Sequence, residues 1–234
     1  MEQRITKIEA HTEQLLHLLL EAHTVFAVLR PMNIDEELVA RLSRENRGAG
    51  FGTIRHVLYW NLVQELVKIV ADDDCRVPSI HNLRKHLAVP EVKARLEDKY
   101  SVWASSAKES DPPDVKEFRK HINKQRELER REVFNLTYKK AMEESAELLN
   151  STALAGMKEV RDKLLAHNEL KLVNGSYRFI DIQHYGLKYG DEKVLLEKAS
   201  LVFDDFYVVV KQASFDWDRS KAMMECDAKL FWKE

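Results

Sequence analysis

No glycine interrupts the chain between Gly52 and Gly156, and the five prolines (Pro31, Pro78, Pro90, Pro112 and Pro113) all stand at breaks between apolar patterns. Long stretches without either residue, with apolar side chains recurring every three or four positions, fold as helices. The expected fold class is therefore all-α, an antiparallel helical bundle with added N-terminal helices. One small β-hairpin is expected near 169–182, where Asn174-Gly175 separates alternating apolar residues. Residues 1–234 read as one domain, and the turn-rich segment AKESDPPD, 107–114, is the best candidate internal boundary.

At 234 residues and 44% hydrophobic content the chain can bury a substantial core. A formal net charge of −2 does not advertise a nucleic-acid binder, although a local patch can suffice. Cys75 and Cys226 are isolated and fit no metal-ligand spacing, so they read as ordinary reduced thiols. The opening MEQRITKIEAHTEQ is too polar for a signal peptide, and the longest apolar run reads as far short of a membrane span. A cytoplasmic, reducing location follows as the default expectation.

The first helix is expected over 3–30, with Ile5, Ile8, Thr12, Leu15, Leu16, Leu19, Ala22, His23 and Phe26 as its stripe and Pro31 as its end. His11, His17 and His23 are six residues apart, so they spiral round the helix and do not converge on a metal. Asp35 caps a short helix to about 46. GAGFG at 48–52 reads as a turn without the Lys-Ser/Thr of a phosphate loop. A helix over 53–71 is apolar on most faces and reads as the central buried one. Asp72, Asp73 and Asp74 end it as a solvated helix terminus. Ser79 caps a helix to Ala88, another covers 91–103, and Asp114 opens a long helix to Asn150. The first half of that helix, Lys116 to Arg131, carries seven basic and three acidic residues and reads as a solvated face. Its second half buries Phe134, Tyr138, Ala141, Ser145 and Leu148. Residues 191–213 read as a helix, with strand as the alternative because of β-branched runs, and a last helix covers 218–232.

The stretch 151–168, STALAGMKEVRDKLLAHN, stands apart. Ser151 or Thr152 caps it, and Ala153, Leu154, Met157, Val160, Leu164 and Leu165 make one stripe. On a regular helix Arg161 falls inside that stripe and His167 on its edge. A cation among apolar neighbours is costly unless something pairs with it. Glu143, Glu144 and Glu147 on the preceding helix are candidate partners. The bland account is that Arg161 snorkels to water and His167 caps carbonyls at the helix end.

The run Arg161-Asp162-Lys163-Leu164-Leu165-Ala166-His167 resembles the signature of the HEPN superfamily, in which an Arg followed by a polar residue precedes a His after four to six mostly apolar residues. The variant R-D-K-x-x-A-H followed by Asn is most similar to the AbiU-type, abortive-infection HEPN proteins. The segment VLYWNLVQELVKIVADDD also resembles the early region of that family. The resemblance covers most of residues 1–215 and is sharpest at the motif. It implies a HEPN-like helical bundle, commonly dimeric, and a metal-independent endoribonuclease of a toxin or antiphage defence system. Arg161, His167 and Asp162 would be the catalytic residues. It further implies RNA as substrate, a homodimer and an antitoxin protein as a partner, with no membrane association, no cofactor and no metal. Some family members carry a Tyr two residues after the His; here that position is Glu169, a departure from the pattern.

The chemistry suits these residue types. RNA supplies its own nucleophile, the 2′-OH. An imidazole can take that proton or protonate the leaving 5′-oxygen near neutral pH, and a guanidinium offers paired donors to the phosphoryl group. One His cannot easily serve both ends of an in-line displacement, whereas a two-fold dimer would bring two. Two other readings stand beside the nuclease. One is a non-catalytic HEPN module binding a nucleotide, RNA or protein through the same cleft. The other is an interaction protein in which Arg161 sits in an internal ion pair.

Overall fold

The computed structural model describes residues 1–44, 47–102, 112–165, 170–173, 176–179 and 186–233. They form helices α1 (Glu2–Ile34), α2 (Glu36–Leu42), α3 (Arg47–Ala71), α4 (Ile80–Leu87), α5 (Pro90–Ser101), α6 (Pro113–Leu149), α7 (Thr152–Val160), α8 (Asp191–Lys211) and α9 (Trp217–Trp232). A single π-helical turn, Arg161–Leu165, continues α7, and a two-stranded ribbon, β1 (Leu170–Val173) and β2 (Ser176–Phe179), follows it. The fold is all-α with one small hairpin. The antiparallel register pairs Leu170 with Phe179 and Val173 with Ser176, so only residues 174 and 175 separate the strands, as the Asn-Gly signal requires.

Helix α1 buries the stripe its spacing predicts, including Ile8, Leu15, Leu19 and His23, and adds Ala27, Leu29 and Met32. Pro31 does not end it. Proline lacks an N–H to give, but its carbonyl still accepts the Asp35 N–H at 3.0 Å, and the helix runs on to Ile34. Asp35, in extended geometry, stops α1 and caps α2 by accepting the Leu38 N–H at 2.9 Å. By length and composition α1 is apolar enough to cross a membrane, with mean hydropathy 1.3 over its most apolar 18 residues, which the reading of short apolar runs overlooked. In the fold it packs against α3, α8 and α9.

The GAGFG segment is not a turn but the first part of α3. Glycine disfavours a helix by about 1 kcal/mol per residue relative to alanine, yet packing outweighs it here. Phe51 is buried, edge-on to Trp232 with ring centroids 6.4 Å apart. Gly48 passes so close to Ser43 that a Cβ would lie 2.8 Å from its carbonyl oxygen. Nor is α3 buried all round. Its second half buries Leu62, Val63, Leu66, Val67, Ile69 and Val70, while Ile54 and Val57 are exposed.

The central helix is α8. It touches α1, α3, α4, α5, α6 and α7, and Leu195, Ala199, Val202, Phe206 and Val209 are all buried, at helical spacing. Those many-sided contacts settle its β-branched runs as helix. The second half of α6 buries Phe134, Ala141, Ser145 and Leu148 as expected, with Tyr138 half-buried. Most of the 107–114 segment, up to residue 111, lies outside the described residues, and α6 starts within its last residues, at Pro113.

After α3, Asp72 and Asp74 make local bonds. Asp74 accepts the Arg76 side chain at 2.6–3.2 Å and its backbone N–H at 3.0 Å, bonds that hold its carboxyl down at about 2. Ser79 caps α4 through the Asn82 N–H and donates to the Asp72 carbonyl. The buried Asn82 amide reaches the Asp74 and Val77 carbonyls at 2.8 and 2.9 Å.

Candidate functional site

Helix α7 starts as its sequence prescribes. The Ser151 hydroxyl accepts the Leu154 N–H, and Leu154, Gly156, Met157 and Val160 are buried. Its neighbours are α3 and α8. At Arg161 the regular turn ends and the backbone widens into π geometry. A π turn spaces its bonds five residues apart, so the wheel of a straight helix no longer holds beyond Val160. Such turns recur at functional sites, where they re-aim side chains.

The position of Arg161 changes accordingly. Its side chain is 34% exposed, at the margin of the core and not within it. Its Nε and Nη2 both lie 2.8 Å from the same Asp162 oxygen, Oδ1. Sequence neighbours on a regular α-helix do not face each other; here the pair closes in the widened turn. Two of the three candidate acids of α6 face other cations: Glu143 lies 3.9 Å from Lys139 and Glu144 3.8 Å from Lys140. Among the described residues Arg161 thus pairs with the next residue and not with an acid of α6. Lys163, on the same turn, pairs back to Glu159. His167 lies outside the described residues, so the structure brings together Arg161 and Asp162 of the three expected site residues.

Among the described residues no group of three or more His, Cys, Asp or Glu side chains could hold a metal ion. Cys75 and Cys226 are exposed free thiols. The spiralled histidines of α1 have separate settings. His23 is buried, and desolvation, with Lys221 second, lowers it to about 4. His11 stands edge-on to His86 at 5.9 Å, and burial lowers both. His17 is exposed.

A cleft of about 740 Å³ lies between the end of α1, α2 and α9, and Arg161 is not among its lining residues. A smaller cleft of about 420 Å³ escaped the sequence reading. Gly52, Arg55, His56, Tyr59 and Trp60 fall at positions i, i+3, i+4, i+7 and i+8 of α3, one face of a helix. Tyr189, just before α8, also lines the cleft. The signal was present as a polar and aromatic stripe. It was hidden by taking 48–52 for a turn and the rest of α3 for uniformly buried.

No curated protein and no solved structure matched the chain. A family model did: HEPN_AbiU2, described as AbiU2, matches residues 5–231. That span takes in α1 through nearly all of α9, including the π turn with Arg161 and Asp162. With almost its whole length matched, this chain belongs to the AbiU2 family of HEPN domains.

Proposed function

We propose that the protein is a metal-independent endoribonuclease of a toxin or antiphage defence system, acting as a homodimer whose two motif helices face one RNA-binding cleft. The observation that carries the reading is the placement of Arg161. It sits half-exposed on a π turn, steered by Asp162, at the end of a helix whose other face is locked into the core. Membership of the HEPN AbiU2 family supports an RNase-like or defence-associated role.

In this mechanism His167 of one subunit, as neutral imidazole, takes the proton of the RNA 2′-OH. The freed oxygen attacks the adjacent phosphorus, and the bond to the 5′-oxygen breaks. His167 of the second subunit protonates that leaving oxygen. The products are a 2′,3′-cyclic phosphate and a 5′-hydroxyl. Arg161 contributes donors to the equatorial oxygens as charge accumulates there. Asp162 is a positioning residue, because it bonds the guanidinium and not the substrate.

The test is cleavage of single-stranded RNA by the purified protein and by His167→Ala and Arg161→Ala variants that retain the wild-type unfolding midpoint. The expected result is cyclic-phosphate ends from the wild type and a loss of at least about a hundredfold in each variant. Intact RNA with the wild type under all conditions, or equal cleavage by the His167→Ala variant, overturns the proposal. One observation favours the non-catalytic reading, a HEPN module binding a nucleotide, RNA or protein: Asp162 already offsets the charge of Arg161. Binding that needs Arg161, without turnover, would decide for it. An antitoxin protein is the partner expected to silence the enzyme.

A further inference from the structure

The cleft on the first half of α3 is built from rings and a cation where a bundle helix ordinarily carries aliphatic side chains. Tyr59 is buried and sits 5.1 Å from the Trp60 ring and 5.2 Å from the Tyr189 ring, centroid to centroid. Trp60 in turn meets His56 edge-on at 5.7 Å and directs its indole N–H at the imidazole, 2.9 Å from Nε2. These contacts lock one side of the cleft. Tyr189 packs its ring against Tyr59, and the residue is 73% exposed. It is fixed from below by the turn into α8. Gly190 there adopts φ +107°, which glycine tolerates and other residues resist, and its N–H is held by Glu192 at 2.8 Å. An aromatic residue backed by another ring, tethered by its backbone and otherwise open to water offers a surface on which a flat ligand can stack.

Charge and space agree. Arg55 is exposed at the rim and Asn33 faces the same cleft, while none of the lining side chains is acidic. At its floor Gly52 has nothing within 4 Å of where a Cβ would stand. Glycine there costs helix stability, about 1 kcal/mol relative to alanine, and no neighbouring atom of the fold requires it. The room it leaves belongs to the cleft.

We propose that this cleft binds an unstacked nucleobase of single-stranded RNA, stacked on the open side of the Tyr189 ring, which Tyr59 backs, with Arg55 on an adjoining phosphate and Asn33 on the base edge. Flat rings with a neighbouring guanidinium are the chemistry by which proteins hold unpaired bases. The inference rests on the proposed function for its choice of RNA, and it gives that enzyme a substrate-holding site apart from the Arg161 turn.

Binding is measured with a fluorescein-labelled 2′-O-methyl RNA octamer, which lacks the 2′-OH nucleophile and so reports binding whether or not the protein cleaves. The wild type binds the octamer. Tyr189→Ala weakens it by about five- to a hundredfold, the range one lost base stack carries, and Tyr189→Trp restores it. Gly52→Leu, which fills the floor and favours the helix, weakens binding similarly while leaving the unfolding midpoint unchanged or raised. The inference is overturned if the wild type does not bind the octamer, or if Tyr189→Ala and Gly52→Leu both bind as the wild type does. Adenosine monophosphate binding as tightly as the octamer also overturns it, because the occupant is then a free nucleotide. If the octamer binds through this cleft but no RNA is ever cleaved, the nuclease reading fails and this one stands.

Discussion

His23 links the first helix to the central one, and its protonation state sets a measurable part of the fold's acid sensitivity. The Ser200 hydroxyl donates to the Leu196 carbonyl at 2.9 Å, so it can only accept from the imidazole, whose Nε2 lies 2.8 Å away. The hydrogen-bond network therefore assigns the neutral Nε2–H tautomer. The ring lies against Trp217 with centroids 5.4 Å apart. A second proton would have to enter this buried setting near Lys221, and desolvation holds the group at about 4 against an ordinary 6.5. Above pH 6.5 His23 is neutral in both folded and unfolded chains and costs nothing. As pH falls from 6.5 to 4 the unfolded chain takes up the proton and the folded one does not, so stability is lost across that window. The full shift corresponds to about 3 kcal/mol. The perturbation is His23→Gln, whose amide N–H can still reach Ser200 but which does not titrate. Urea unfolding of both proteins at pH 7, 6, 5 and 4 should give free-energy curves that converge on acidification, the wild type losing about 3 kcal/mol more than the variant. Parallel curves would refute the assignment. The lowered His11 and His86 act in the same direction and, being common to both proteins, cancel in the difference.

Other outcomes follow from the same contacts. Gly48→Ala should destabilise the protein by about 1 kcal/mol or more in urea titration, because the new methyl meets the Ser43 carbonyl. Gly50→Ala, with open space around its Cβ, should stabilise by up to about 1 kcal/mol in the same assay. Ser79→Ala removes the cap of α4 and the bond to the Asp72 carbonyl, and should cost about 1–2 kcal/mol by the same titration. Asp162→Asn keeps the size but removes the carboxylate beside Arg161; RNA cleavage should fall about tenfold while the circular dichroism spectrum stays unchanged.

The parts of the fold that depend on local spacing were legible beforehand. The stripes of α1, α6 and α8, the caps at Asp35, Ser79 and Ser151, and the Asn-Gly hairpin follow from residue periodicity and side-chain bonding alone. What failed depended on packing and bonding that intrinsic residue preferences do not carry. Pro31 and the glycines at 48–52 are breakers by intrinsic preference, but Phe51 finds Trp232 and Gly48 finds Ser43, and the helix forms through them. The site was half legible. The motif located Arg161 and Asp162, but a wheel drawn at constant pitch put the arginine in the apolar stripe, and nothing in the residue order announces a widened turn. The aromatic cleft needed Tyr189 folded against α3, a contact between segments far apart in sequence.

Helix α9 lies back along α1: the Trp232 indole N–H donates to the carbonyl of Val28, 204 positions earlier in the chain, and Glu225 pairs with Arg30. During synthesis, at about 5–20 residues per second, the face of α1 that α9 covers therefore stays bare for about 10–40 s after it leaves the ribosome. That interval exposes a long greasy helix to chaperones and to membranes, and it makes late translational arrest far more damaging to this bundle than the small mass of the missing piece would suggest.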